Sequence, residues 1–75
     1  MTLEEVQARL ESGISESIVT MQGDGCNCSA VIVSPAFKGI SKVNRQRLVL
    51  KLVKEEMASG ELHALTVKTL TPSEQ

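Results

Sequence analysis

Three side chains in this sequence could supply a thiolate or an imidazole to a metal or a reaction: Cys26 and Cys28, separated only by Asn27, and a single histidine, His63. Thiolate and imidazole are the usual protein ligands of zinc and of iron-sulfur centres. Three such groups cannot close a four-coordinate site, so the missing ligands must come from a partner or a small thiol. Cys-x-Cys is a weak motif by itself, and the pair would serve equally as two small apolar residues at a strand edge. His63 has its own alternative, a structural histidine at the start of a strand.

Catalysis has little to build on. A Cys/His nucleophilic pair needs a third orienting group and an oxyanion hole, and nothing in the sequence nominates either. There is no Walker or dinucleotide glycine signature and no G-x-S-x-G elbow. The expectation is a non-enzymatic binding protein.

One basic concentration stands out: Arg45, Arg47, Lys51 and Lys54, with Lys38 and Lys42 nearby. Arg45, Arg47 and Lys51 are the candidates for phosphate contact; the alternative is a solvated helix face, neighboured by Glu55 and Glu56. A net charge of -1 and a pI near 5.7 give no global attraction to nucleic acid or anionic lipid. The only aromatic residue, Phe37, provides no platform for stacking bases. DNA binding through this face is expected to be weak and salt-sensitive.

The elements that must position these groups fit one domain, residues 1–75. A chain of this length buries only about 60 to 65% of the surface its unfolded form exposes, so the core is thin and Val, Leu and Ile must fill it. With 41% hydrophobic and 23% charged residues the composition is that of an ordinary globular protein. The start, MTLEEVQARL, has neither the charge and apolar pattern of a secretory signal nor the Arg/Ser-rich make-up of a transit peptide. A cytoplasmic, membrane-free setting is expected, where both cysteines stay reduced.

Thr2 and Glu5 form a capping box, and Leu3, Val6, Leu10 and Ile14 recur at helical spacing, predicting a first helix over Leu3 to Ser12. Gly13 is suited to end it in a left-handed conformation. Ile18 to Met21 predicts a strand, Gly23-Asp24-Gly25 a turn, and Ser29 to Val33 a second strand closed by Ser34-Pro35. Both cysteines thus fall at a loop-to-strand junction. Val49, Leu52, Val53 and Met57 predict one long helix from Val43 to Ser59, with Gly60 as its stop and Arg47, Lys51 and Lys54 on another face. His63 to Leu70 alternates as a third strand ended by Thr71-Pro72. The order is α-β-β-α-β: an α+β fold, helices on one small sheet.

Four blocks, in order, carry a resemblance. Val33-Ser34-Pro35-Ala36-Phe37-Lys38-Gly39-Ile40-Ser41, Arg45-Gln46-Arg47-Leu48-Val49, Leu62-His63-Ala64-Leu65 and Thr69-Leu70-Thr71-Pro72 resemble the BolA-like family across nearly the whole chain. The resemblance implies a small mixed three-stranded sheet with helices packed on it, similar to class II KH domains. It also implies a monomer that pairs with a monothiol glutaredoxin. Such pairs share a bridging 2Fe-2S cluster, to which the glutaredoxin side brings its own cysteine and that of glutathione. His63 matches the family's histidine ligand, and a second ligand comes from the loop between the first two strands, where this chain has Cys26 and Cys28. Relatives with a similar Cys-x-Cys-Ser run use its first cysteine, which favours Cys26. Such an adaptor would serve iron-sulfur trafficking or iron homeostasis; the alternative is a KH-like nucleic-acid-binding regulator of transcription.

Gln46 stands where the family has the central histidine of R-H-R, and the sequence ends at Gln75 where relatives continue past an aromatic residue. Neither departure touches a candidate ligand; both weaken the case for carrying over nucleic-acid contacts proposed for some relatives. Backbone pairing should fix His63, whereas glycines on both sides of Asp24 make the cysteine loop permissive. Cys28 is therefore expected to substitute in part when Cys26 is lost.

Overall fold

The side chain of Thr2 accepts the Glu5 amide at 3.1 Å while a Glu5 carboxylate oxygen accepts the Thr2 amide at 3.2 Å, so the capping box forms and opens helix α1, Leu3–Gly13. The computed structural model describes all of residues 1–75. Gly13 keeps an ordinary helical backbone, contrary to the left-handed stop expected of it; the positive φ falls on Glu16, at 52°. What Gly13 provides is room: a Cβ there would lie 2.5 Å from a methyl of Leu52. It lets α1 approach the helix that carries Leu52.

Strand β1, Ile18–Gly23, pairs antiparallel with β2, Asn27–Val33, and β3, Ala64–Leu70, lies parallel to β2 on its other side. A parallel neighbour requires a crossover. It is made here by a 3-10 turn, Pro35–Phe37, and helices α2, Lys42–Leu52, and α3, Lys54–Ser59. The α+β class, the order of the strands and the mixed three-stranded sheet agree with the sequence reading.

The long helix does not run unbroken. Val53 interrupts it at φ -119°, ψ 20°, and its amide turns back to the Leu50 carbonyl at 3.2 Å. Val53 is fully buried, yet α3 beyond it buries no residue, so no apolar stripe drives a straight continuation. Arg9 fixes the bend by donating to the Leu52 carbonyl at 3.3 Å and pairing with Glu56 at 2.8 Å. Gly60, at φ 87°, caps α3 in the left-handed conformation.

One sheet face is covered and the other is open. Val19, Cys28, Ala30, Ile32 and Val67 pack with Val6, Leu10, Phe37, Val49, Val53 and Leu62 in a single core. On the open face the strands align Gln22, Ser29 and Thr66 in one row and Thr20, Val31 and Lys68 in the next. No helix is long and apolar enough to cross a membrane.

Candidate metal centre

The loop between β1 and β2 is built around Asp24. One of its carboxylate oxygens accepts the amides of Cys26 at 2.8 Å and Asn27 at 2.7 Å, and the Asp24 amide donates to the Asn27 carbonyl at 3.0 Å. An aspartate that bonds the backbone two and three residues ahead closes a local turn. Those bonds, the Asn27 amide first, hold the Asp24 carboxyl below its ordinary range, and His63 adds a smaller pull in the same direction. Gly25 lies against the N-terminus, where a Cβ would run into the Met1 carbonyl. The loop is therefore clamped, which corrects the expectation that its glycines leave it free to adapt.

From this loop Cys26 is exposed to solvent. Its carbonyl accepts two amides from the segment entering β3, that of His63 at 2.7 Å and that of Ala64 at 3.0 Å. His63 is also exposed and stands one residue ahead of β3 rather than as its first residue. Just before it, Leu62 is fully buried and its amide bonds to the Glu56 carbonyl at 3.1 Å, so both sides of His63 are anchored. Two candidate ligands distant in sequence are thus tied together at one end of the sheet.

Cys28 is placed differently. Strand pairing sets it opposite Gly23 and Leu65, with only 7% of its surface exposed, inside the core. Burial pushes its thiol above the ordinary value, and the nearby charges of Asp24 and Cys26 push the same way. A ligand must be a thiolate, so Cys28 is disfavoured by access and by ionisation together. Its sulfur sits in a paired strand on the core side, so substitution for Cys26 would require the end of the strand pair to open. No group of three or more His, Cys, Asp or Glu is assembled to hold a metal ion. The chain thus carries an exposed thiol residue and an exposed imidazole residue on backbone segments joined at one end of the sheet.

The basic concentration also divides. Arg47 and Lys51 are exposed on α2, but Arg45 is buried, 5% exposed, and cannot contact phosphate. Its guanidinium donates to both Glu74 carboxylate oxygens, at 2.7 and 3.3 Å, and to the Ile40 carbonyl at 2.8 Å, and lies 5.7 Å from the centre of the Phe37 ring. Spacing carried the signal: Arg45, Val49 and Val53 recur at four-residue steps on the buried stripe. Lys42 donates to the Thr69 carbonyl at 3.2 Å and Gln46 to the Val67 carbonyl at 2.6 Å, fastening α2 to β3.

Sequence reasoning missed two further features. Asp24 was visible only as a turn residue, although Gly-Asp-Gly ahead of a cysteine invites the side-chain-to-backbone bonds seen here. A recess of about 420 Å³ beside the ligand pair, lined by Gln22, Asn27, Ser29, Ala64 and Thr66 among others, depends on three strands meeting in register. No local pattern encodes that.

A family model described as BolA-like protein matches residues 8–74. The acid stress protein IbaG of Escherichia coli strain K12 is 33% identical over 70 residues, covering 93% of this chain and 83% of IbaG. BolA-like protein 2 of Saccharomyces cerevisiae is 40% identical over 79 residues, covering 99% of this chain and 64% of that protein. Among solved structures, BolA1 from Arabidopsis thaliana superposes with a TM-score of 0.85 at 30% identity, over 97% of this chain and 94% of that one. A BolA homologue from Coxiella burnetii gives 0.84 at 39% identity, over 99% and 95%.

Proposed function

Since the chain belongs to the BolA-like protein family, we propose that it is a non-enzymatic adaptor that binds a monothiol glutaredoxin and co-ligates a bridging 2Fe-2S cluster, in iron-sulfur trafficking or iron homeostasis. Cys26 and His63 are the ligands from this chain. A two-iron cluster takes four protein or thiol ligands, and imidazole can replace thiolate on an iron. The glutaredoxin cysteine and the cysteine of bound glutathione supply the other two.

The observation that carries this reading is the pair of bonds from the His63 and Ala64 amides to the Cys26 carbonyl. They hold an exposed thiol residue and an exposed imidazole residue at one end of the sheet. Preorganisation of this kind lowers the ordering cost of forming a shared site. The donor set fits the group: thiolate is the usual ligand of iron-sulfur centres and imidazole can replace it on an iron, and both residues are exposed, where a second protein can reach them.

Native mass spectrometry of the chain with a monothiol glutaredoxin, glutathione, ferrous iron and sulfide tests the assembly. One copy of each protein with a two-iron, two-sulfur mass increment and one glutathione is expected. Recovery of the cluster only in glutaredoxin homodimers, with this chain free, would overturn the proposal.

A further inference from the structure

The recess next to Cys26 and His63 is not explained by cluster ligation. Its floor is the Gln22, Ser29 and Thr66 row, one side chain from each strand, because Gln22 pairs with Ser29 and Ser29 with Thr66. At its head stand Asn27 and Ala64, the paired residues that follow Cys26 and His63. Gln22, Asn27, Ser29 and Thr66 make no side-chain hydrogen bond within the chain, and no charged residue lines the recess. Side-chain amides and hydroxyls both donate and accept. An uncharged, donor-and-acceptor surface of this kind complements peptide groups, each of which carries one N–H and one C=O.

Resting on the adaptor reading, we propose that this recess seats an extended, uncharged main-chain segment of the protein that shares the cluster. Two inter-strand spacings of about 4.8 Å make the row about 10 Å wide, the length of about three extended residues. Free glutathione is a poorer occupant, because its two carboxylates and ammonium group would meet a lining without charge. The seat is continuous with the ligand pair through Asn27 and Ala64, so a segment lying here brings its parent protein to the cluster position.

The test uses the isotope-labelled chain and a monothiol glutaredoxin without iron. The side-chain amide signals of Gln22 and Asn27 and the backbone signals of Ser29 and Thr66 should shift on addition of glutaredoxin and stay unchanged with glutathione alone. Thr66→Arg, which puts an unpartnered charge into the seat, should weaken glutaredoxin binding about tenfold or more. Thr20→Arg, one row further from the ligands, should bind as the parent chain does, with thermal melts of both variants confirming the fold. Unmoved recess signals, or full affinity in Thr66→Arg while the mixed cluster still assembles, would overturn the docking seat and leave the adaptor reading intact. Shifts produced by glutathione alone would also overturn it, in favour of the free tripeptide as occupant. Failure of the parent chain to form any mixed cluster would remove the adaptor reading, and this proposal with it.

Discussion

The backbone amide of His63 donates to the carbonyl of Cys26 at 2.7 Å, joining the loop before β2 to the segment entering β3. Residues 37 positions apart in the chain are thereby held side by side without any contact between their side chains being required. The relative placement of the two residues is a property of the sheet end, and each element that holds that end can be probed separately.

The two cysteines should respond oppositely to serine. Cys26→Ser, at an exposed position, should leave the melting temperature nearly unchanged while weakening the mixed cluster's spectrum. Cys28→Ser places a hydroxyl in the core and should cost roughly 1–3 kcal/mol, a drop of several degrees or more in a domain of this size, yet its folded fraction should still form the cluster. Melts and visible spectra on both variants decide the matter. A normally stable Cys28→Ser chain that has lost the cluster would reverse the assignment.

Asp24 should act through the loop. Asp24→Ala removes the acceptor of the Cys26 and Asn27 amides, so exchange of those amides and of the His63 amide should quicken; Asp24→Asn, which keeps an oxygen acceptor, should fall between. The folded-state carboxyl is depressed below the ordinary value of 3.8, so its stabilisation is present above that pH and lost as pH falls through the lower folded value. Equal protection of the His63 amide in all three proteins would show that the clamp is not needed.

Legibility from sequence followed the range of the forces involved. The capping box, the strands and the Gly60 stop are set by neighbours within a few residues, and all were readable. The break at Val53 was not: the contact that accompanies it, from Arg9 to the Leu52 carbonyl, spans 43 positions. The ligand pair was nominated by residue type and by family resemblance. The resemblance already favours Cys26 over Cys28; what sequence does not show is the strand register that leaves one at the surface and sets the other opposite Leu65 in the core. Arg45 differs from its neighbours only by its place on the buried stripe, which residue type does not reveal.

The Arg45–Glu74 pair gives the clearest pH dependence. Glu74 is held at about 2, against 4.5 when free, chiefly by its hydrogen bonds from Arg45 and then from the Thr71 amide. A depressed carboxylate stabilises the fold above its unfolded value and loses that contribution as pH falls from about 4.5 toward about 2. The melting temperatures of the parent chain and of Glu74→Gln should differ at neutral pH and converge near pH 2. A constant difference across that window would contradict the pairing.

With Arg45 withdrawn into the core, Arg47 and Lys51 remain as exposed cations on α2 from the candidate set. Two phosphate contacts would give a salt slope of about -2 in log-log form. Titration of labelled duplex at two salt concentrations should show weak binding that fades at physiological salt. Tight, sequence-selective binding that persists there would favour the nucleic-acid function over the adaptor.

Circular dichroism in the visible range, recorded on this chain mixed with a monothiol glutaredoxin, glutathione, iron and sulfide, is the most direct test of the Cys26 and His63 site. The parent chain should give a spectrum distinct from that of the glutaredoxin's own cluster. His63→Ala should abolish the difference and Cys26→Ser should weaken it severely, with no rescue from Cys28. If His63→Ala and Cys26→Ser both retain the distinct spectrum at parental intensity, the cluster is held elsewhere and the site described here is wrong.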